Sequence, residues 1–275
     1  MNETGDLEAG SRYDLRTGGS PDAPEDDELG DNEGTFGYVH SYESSSRYDG
    51  PGLRLVLFVS GCLLRCRYCH NPDTWHLKDG TKVSAQQVLD RLRGFVPALQ
   101  GLDGGLTISG GEVMVQRAFT ERILAGAKAM GLHTAIETSG YLGDKISDRY
   151  LSTIDLVLLD IKSSDPETYR RVTGRELAPT LRFAERLAAM GKPAWVRFTL
   201  VPGLTDDPAN IDGIAKFVAP MKNVQRVEVQ PFHKLGEFKW KAMKLDYALK
   251  AAEPPPIAQI QETIDRFRAA GCTAR

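Results

Sequence analysis

The chain lacks the features that would send it to or across a membrane. No apolar run approaches the roughly 20 residues of a membrane-spanning helix, and the N-terminal residues carry no apolar stretch like that of a secretory signal peptide. Cysteine is also scarce, with four among 275 residues. We therefore expect a soluble, cytoplasmic protein without membrane binding. Because the cytosol is reducing, any clustered cysteines should serve metal binding or catalysis rather than crosslinking.

The first 34 residues have almost no large apolar side chains. They contain eleven acidic residues, two basic residues and six glycines, a net charge of −9, which leaves +6 on the other 241 residues. Such a segment cannot bury enough surface to offset its ordering entropy. We predict a disordered acidic tail over 1–34 and one domain over 35–275, long enough for a substantial core. The domain's positive charge is too weak and dispersed to indicate nucleic-acid binding.

Six short aliphatic or β-branched runs alternate with amphipathic stretches after residue 36. The runs predict strands at 53–59, 105–109, 133–138, 155–162, 194–201 and 224–230, and the stretches predict helices at 84–97, 116–130, 145–152, 180–190 and 208–220. This alternation predicts an α/β fold with parallel strands. Nearly continuous apolar strands are typical of a parallel sheet covered on both faces. Periodicity alone leaves open a doubly wound sheet and an incomplete barrel.

A polar feature follows every predicted strand. In chain order these are a cysteine-rich loop, "SGGE" at 109–112, Glu137, Asp160 with Lys162, Arg197 and His233. Each one alone has an ordinary explanation as a turn, a helix cap or an ion pair. In both architectures, however, the carboxyl ends of parallel strands share the edge at which active sites lie. Their coincidence there favours one functional site.

Three of the four cysteines fall within "SGCLLRCRYCHNPDTW". Cys62, Cys66 and Cys69 are spaced C-x3-C-x2-C, whereas Cys272 lies far away and is expected to be a small buried or terminal residue. A structural zinc normally has four protein ligands, and His70 would be strained as the fourth because it is adjacent to Cys69. A cubane iron–sulfur cluster could use three cysteines and leave one iron for a non-protein ligand.

This motif, with Tyr68 before its last cysteine and "SGGE" after the second strand, resembles the signature of radical S-adenosylmethionine (SAM) enzymes. There the amino and carboxylate groups of SAM chelate the fourth iron. The longer stretches "GYVHSYESSSRYDGPGLRLVLFVSGCLLRCRYCHNPDTW", "LLDIK", "VPGLTDD" and "QPFHKLG" resemble the pyruvate formate-lyase activating enzyme family, over residues 37 to about 250. That resemblance implies a partial (β/α)6 TIM-like barrel. It also implies reductive cleavage of SAM and removal of a hydrogen atom from a glycine Cα of formate acetyltransferase (pyruvate formate-lyase).

The resemblance also implies roles for single residues. The three clustered cysteines would ligate one 4Fe-4S cluster and, with Lys162 and His233, belong to the catalytic set. Asp49 and His70 would contact the partner's peptide. The residues implied to lie against SAM are Tyr68, His70, Asn71, Gly110, Gly111, Glu112, Asp160, Lys162, Arg197 and His233.

Two departures from the family pattern bear on the cofactors. The family's third strand often ends in "DTNG", whose aspartate helps to hold a monovalent cation, and this chain has "ETSG". The implied Na⁺ or K⁺ site would therefore join Asp160 with Glu137, which is one methylene longer. The chain has no cysteine between 69 and 272. That absence implies a single cluster and favours the pyruvate formate-lyase type over activases for diol, choline or aromatic substrates.

The partners implied by the resemblance are formate acetyltransferase as protein substrate and flavodoxin or ferredoxin as electron donor. Three alternatives stay open at the level of sequence. They are an activase for another glycyl radical enzyme, a radical SAM enzyme acting on a small molecule or RNA, and a non-enzymatic binding protein stabilised by zinc.

Overall fold

The computed structural model describes residues 33–275. The predicted acidic tail lies almost wholly outside these residues and stays a prediction, as does the domain boundary at 34. The described residues form one eight-stranded sheet with helices packed around it. The strands are β1 Phe36–Ser46, β2 Arg54–Val59, β3 Thr81–Ser84, β4 Gly105–Gly110, β5 His133–Thr138, β6 Leu156–Asp160, β7 Ala194–Leu200 and β8 Val224–Pro231.

Helices connect most of the strands. The α-helices of the described part are α1 Ala85–Arg93, α2 Val96–Gly101, α3 Arg117–Ala129, α4 Asp148–Ser152, α5 Pro166–Thr173, α6 Ala178–Ala189, α7 Pro208–Val218, α8 Glu237–Ala242 and α9 Ile257–Ala269. Short 3-10 turns occur at Pro72–Thr74, Leu77–Asp79, Val113–Gln116 and Gly143–Lys145. Within residues 33–275, none of these helices has the length and apolarity that crossing a bilayer requires.

The sheet has the strand order β3-β1-β2-β4-β5-β6-β7-β8. The six predicted strands are confirmed. They are β2, β4, β5, β6, β7 and β8, and each pairs in parallel with the next in this order. In the described part of the chain, β3 and β8 are the two edges and do not pair with each other. The open, mostly parallel sheet agrees with the partial barrel that the family resemblance implies.

Two antiparallel strands at one edge were not predicted. β1 pairs antiparallel with both β2 and β3. Its sequence, "FGYVHSYESSS", has no continuous apolar run, and its burial alternates because only one face packs on the core. An antiparallel strand with one solvated face has an apolar residue at about every second position. It therefore lacks the continuous apolar run from which the parallel strands were predicted.

The predicted helices form with shifted ends. The predicted helix 84–97 is divided into α1 and α2, because Pro97 occupies the first turn of a new helix, where its missing N–H leaves no bond unmade. The start of α1 is fixed by a capping box between Ser84 and Gln87. Ser147 caps α4 through a bond from the Tyr150 N–H to its Oγ, 3.1 Å long. Helices α5 and α8 were not predicted.

The core lies between the parallel strands and the helices. Its buried residues include Val59, Ile108, Ile136 and Phe198. A second, smaller cluster joins the cysteine-rich loop to the segment after β8, and it contains Trp75, Phe232, Trp240 and Tyr247. The sheet therefore positions the strand ends, and the second cluster positions the loops above them.

Candidate active site

The carboxyl ends of the parallel strands surround a cavity of about 910 Å³. Nearly all of the residues predicted from sequence line it together. They are Cys62, Cys66, Tyr68, Cys69, His70, Asn71, Gly110, Gly111, Glu112, Glu137, Asp160, Lys162, Arg197 and His233. Asp49 does not line the cavity, but its carboxylate lies 3.3 Å from Arg197 Nη1. The strand-end argument therefore identified one shared site.

Backbone hydrogen bonds hold the cysteine-rich loop in place. The N–H of Cys62 donates to Trp75 O at 3.0 Å, and the N–H of Cys69 donates to Cys66 O at 3.0 Å. The N–H groups of Arg65 and Arg67 donate to the last carbonyls of α5, at 2.8 and 3.0 Å. Those carbonyls have no partner within their own helix. The unpredicted helix α5 is thus a support for the loop.

The three clustered thiols are free and lie in a desolvated environment. Burial raises the pKa of Cys62 and Cys66 to about 12 and that of Cys69 to about 11. Lys162 opposes this rise at Cys66. Thiolate is the form that binds metal, so a metal centre would have to displace these protons. Within residues 33–275, no three His, Cys, Asp or Glu side chains are arranged to hold a single metal ion.

Gly110 and Gly111 are required where β4 meets the cysteine-rich loop. Gly110 has φ +120°, and a Cβ there would lie 2.2 Å from Val59 O. A Cβ on Gly111 would lie 2.3 Å from Gly61 O. Any other residue would push the strand end away from the loop.

Glu112 is buried and already engaged by the end of β5. One of its oxygens accepts from Thr138 Oγ1 at 2.6 Å, and the other accepts from Ser139 Oγ at 2.6 Å and from the Ser139 N–H at 3.0 Å. Burial raises the pKa of Glu112 against the effect of these hydrogen bonds. Glu112 therefore joins the loop after β4 to the end of β5, a structural task that sequence did not predict for it.

Asp160 and Lys162 form an ion pair in the cavity wall, with Lys162 Nζ 3.1 Å from Asp160 Oδ2. Burial works to lower the pKa of Lys162, but Asp160 outweighs it and raises that pKa well above its ordinary value. Lys162 Nζ also lies 5.7 Å from the centre of the Tyr68 ring. The Lys162 ammonium group therefore lies between the end of β6 and the cysteine-rich loop.

Arg197 is almost fully buried and faces three carboxylates. It bonds to Glu137 through Nη1, to Asp49 through the same nitrogen, and to Glu228 through Nε at 3.2 Å. Its Nη2 donates to Tyr48 O at 2.5 Å. Burial works to lower the pKa of Arg197, but the carboxylates outweigh it and raise the pKa.

Sequence reasoning placed Glu137 beside Asp160 as a cation site, whereas in the structure its hydrogen bonds come from Arg197 and from Ser109 Oγ at 2.5 Å. It also missed Glu228 and Arg275, which line the same cavity and bond to each other at 2.5 Å. The available signal for Glu228 was a charged residue inside the apolar run "VQRVEVQ". Arg275 offered no local signal, because it reaches the cavity only through pairing of residues 273–275 with β8.

Two histidines, His70 and His233, also line the cavity. The rings of His70 and His233 meet edge to face, with centroids 5.0 Å apart. Asn71 Oδ1 accepts from Lys239 Nζ at 2.8 Å, so its oxygen is held by α8. Cys272, in contrast, does not line the cavity. It lies half-buried with its Sγ 3.8 Å from Ala215 O in α7.

Comparison with known proteins identifies the family of this chain. Residues 56–212 match the model of the Radical SAM superfamily. The pyruvate formate-lyase-activating enzyme of Staphylococcus epidermidis is 39% identical over 233 residues, which cover 82% of this chain and 93% of the relative. That of Listeria monocytogenes is 40% identical over 226 residues, covering 80% and 91%.

Solved structures share the fold. A domain of pyruvate-formate lyase-activating enzyme from Bacteroides vulgatus superposes with a TM-score of 0.53 at 23% identity, covering 62% of this chain and 98% of that domain. Streptococcus suis SuiB bound to the precursor peptide SuiA superposes with a TM-score of 0.61 at 18% identity, covering 82% and 48%.

The parallel sheet with a three-cysteine loop at its carboxyl edge, together with the family match, defines a radical SAM protein. Membership of this superfamily implies a 4Fe-4S cluster and SAM. Identity of about 40% over most of both chains then narrows the assignment. The chain belongs to the pyruvate formate-lyase-activating enzyme family.

Proposed function

We propose that this protein activates formate acetyltransferase by installing a glycyl radical on it. The observation that carries the proposal is the gathering of Cys62, Cys66 and Cys69 with the SGGE turn, the Asp160–Lys162 pair and Arg197 around one cavity. The relatives that share about 40% identity are named as activating enzymes for this partner. No equally specific observation favours a small-molecule or RNA substrate.

The site fits a 4Fe-4S cluster and SAM. Three free thiols on one short loop match the three protein ligands of such a cluster, and they are not arranged for a single ion. The cavity of about 910 Å³ falls in the size range of cofactor sites. When bound, the cluster supplies the electron that cleaves SAM into methionine and a 5′-deoxyadenosyl radical, which takes a hydrogen atom from the partner's glycine Cα.

The chain's own residues would bind and orient SAM. Gly110 and Gly111 let the β4 end approach a ligand without a side chain in the way. Glu112 would accept from the methionyl ammonium in exchange for one of its four present hydrogen bonds, which fill its lone pairs. Lys162 and Arg197 offer positive charge to the methionyl carboxylate or the ribose. Tyr68 and His233 supply rings for the adenosyl group.

Three further residues complete the proposed ligand set. His70 and Asn71 border the cavity where SAM and the partner's peptide would meet. Asp49 would contact that peptide from outside the cavity lining, where its carboxylate lies 3.3 Å from Arg197 Nη1. Na⁺ or K⁺ would bind between Glu137 and Asp160, and it would have to compete with Arg197 and Lys162 for these carboxylates.

The proposal extends to the cellular setting. Flavodoxin or ferredoxin would deliver the electron, and the protein would act in the cytoplasm without nucleic acid or membrane as partner. The alternative partner is another glycyl radical enzyme, and the test below distinguishes it.

Anaerobic reconstitution with iron and sulfide tests the cluster assignment. We expect a brown protein with about four irons per chain that cleaves SAM to 5′-deoxyadenosine under reduction. Cys66→Ala should abolish both the colour and the cleavage. Cys272→Ala is the matched control and should keep both, because Cys272 lies outside the cavity. A colourless, zinc-loaded wild type would overturn the enzyme assignment.

Electron paramagnetic resonance tests the partner. Reconstituted protein, SAM and reductant should give a glycyl radical signal when mixed with formate acetyltransferase. Replacement of the partner's radical-bearing glycine by alanine should remove the signal. If the mixture with formate acetyltransferase gives no glycyl radical signal and the mixture with another glycyl radical enzyme gives one, the alternative partner is correct.

A further inference from the structure

Two exposed apolar side chains stand beside the cavity mouth. Leu235 is 70% exposed and Phe238 is 67% exposed. They are three residues apart: Leu235 lies in the turn before α8, and Phe238 lies in the first turn of α8. We call Leu235 and Phe238 the rim pair.

Backbone contacts fix the rim pair next to the two cavity histidines. The Leu235 N–H points to His233 Nδ1 at 3.4 Å. Gly236, between the two members of the pair, packs so closely on the loop that a Cβ there would lie 2.6 Å from His70 O. Since His70 and His233 both line the cavity, the rim pair borders its opening.

The inner side of α8 is bound to the cysteine-rich loop. Trp240 Nε1 donates to Cys69 O at 2.9 Å, and the Trp240 ring meets Trp75 edge to face with centroids 5.1 Å apart. Lys239 Nζ bonds to Asn71 Oδ1 at 2.8 Å and to Asp73 Oδ2 at 3.0 Å. These contacts hold the rim pair rigidly toward solvent, beside the predicted cluster ligands.

A third exposed apolar side chain, that of Tyr48, lies on the cavity wall. Tyr48 is 80% exposed and contributes to the cavity lining. Seven large apolar residues of the described part are strongly exposed; of these, Tyr48 lines the cavity, and the rim pair is next to the cavity histidines through the contacts of Leu235 and Gly236. Apolar side chains that stay exposed around a concave site are characteristic of surfaces that a partner covers.

We infer that the rim pair docks the glycine-bearing protein substrate. This inference rests on the proposed function. A glycine has no side chain to recognise, so the binding energy that selects it must come from residues away from the reacting Cα. A partner that inserts a main-chain segment into this cavity must pass over its rim, and the rim pair offers apolar area there without closing the cavity itself.

The test uses reconstituted enzyme and two assays. Leu235→Ser/Phe238→Ser should leave SAM cleavage without partner unchanged, since neither side chain lines the cavity. Its kcat/KM for glycyl radical formation on full-length formate acetyltransferase should fall at least about tenfold, chiefly through KM, because a few apolar anchors carry most of the binding energy of an interface. A short peptide containing the glycine should be affected much less.

Ile257→Ser is the matched control. Ile257 is 86% exposed at the start of α9, outside the cavity lining, and its loss should change neither assay. The single variants Leu235→Ser and Phe238→Ser separate docking from folding.

Equal loss of SAM cleavage and radical formation in both single variants would mean that the pair only supports the site, and would overturn the inference. Unchanged radical formation in the double variant would overturn it as well. A wild type that cleaves SAM but forms a glycyl radical on no glycyl radical enzyme would instead refute the proposed function. The docking inference, which rests on that function, would then fail as well.

Discussion

Two arginines are buried in this sheet, and their surroundings differ completely. Arg54, at the start of β2, donates to Thr107 Oγ1 at 2.9 Å, to Leu106 O at 2.5 Å and to His133 O at 3.2 Å, all neutral acceptors. Burial lowers its pKa to about 10. Arg197, in β7, faces carboxylates that raise its pKa. Arginine therefore has two different roles here: Arg54 holds backbone at the base of the sheet, and Arg197 balances negative charge in the cavity.

The segment between β1 and β2 connects these two regions. Asp49 O accepts from Thr107 Oγ1 at 2.5 Å, and Thr107 in turn accepts from Arg54. The Asp49 carboxylate and Tyr48 O both bond to Arg197. Arg54 therefore supports, through neutral contacts, the segment whose Asp49 carboxylate bonds to Arg197.

Arg197→Met should have the largest effect, because it leaves Asp49 and Glu137 without their ion-pair partner, whereas Glu228 keeps Arg226 and Arg275. We expect a loss of about 3–5 kcal/mol in the free energy of unfolding, as for other broken buried ion pairs. SAM cleavage should fall about a hundredfold, since displaced carboxylates would disturb ligand alignment. Denaturant titration and 5′-deoxyadenosine formation measure the two effects. Arg197→Lys keeps the charge without the planar fork and should lie between the variant and the wild type.

The cost of Arg197→Met should also depend on pH. Burial works to raise the pKa of Glu137, but Arg197 and Ser109 outweigh it and hold that pKa below its ordinary value. The wild type therefore loses this stabilisation only as the pH falls through the lowered pKa of Glu137, whereas in the variant the unpaired, buried Glu137 takes up a proton at higher pH. The stability gap should narrow as pH falls from about 8 to about 5.5. A constant gap would argue against the ionic explanation.

Arg54→Met should cost less, about 1–3 kcal/mol, because it removes hydrogen bonds to neutral acceptors and leaves no uncompensated charge. Its cost should fall slightly as the pH falls across that range, because burial and Arg54, whose Nη1 lies 3.3 Å from His133 Nδ1, both lower the pKa of His133, and the variant removes the second effect. SAM cleavage should change only slightly through the Asp49 segment. Arg93→Ala, which removes an exposed ion pair with Asp90, is the control and should be almost neutral. If Arg54→Met proved more costly than Arg197→Met, the contrast between the two arginines would be wrong.

Sequence reasoning succeeded where the chemistry is local. The cysteine motif, the paired glycines and the polar residues that end each parallel strand are each visible within a few residues, and the parallel order brings them to one edge. Arg54 also gave a signal, as a charged residue in the apolar run "LRLVLFV", but its neutral acceptors come from residues far away in sequence.

Partner choice inside the site could not be predicted in the same way. Strand order shows that Glu137 and Asp160 share an edge, but it does not show that Arg197, one strand further, reaches Glu137. Glu228 and Arg275 join the network through β8 and residues 273–275, which no local pattern connects. Contacts of this kind depend on side-chain reach across strands, and only the folded arrangement determines them.

The smallest effect should come from an exposed ion pair at the base. Asp155 bonds to Lys128 Nζ and accepts from the Thr134 N–H at 2.9 Å. Burial works to raise the pKa of Asp155, but Lys128 and Thr134 outweigh it and lower the pKa. Its stabilisation is therefore present above the ordinary aspartate value of 3.8 and is lost as the pH falls through the lower folded pKa.

Asp155→Asn should accordingly cost only about 0.3–1 kcal/mol at neutral pH, because both partners are partly exposed and water screens the pair. The difference from wild type in denaturant titrations should shrink further in about 1 M salt, where exposed charges are screened within about 3 Å, and should disappear once Asp155 is protonated. The Arg197→Met cost should survive the same salt, since its carboxylates are shielded from solvent. Equal salt sensitivity of the two variants would show that the cavity network behaves as an exposed ion pair, and the distinction between base and cavity would then fail.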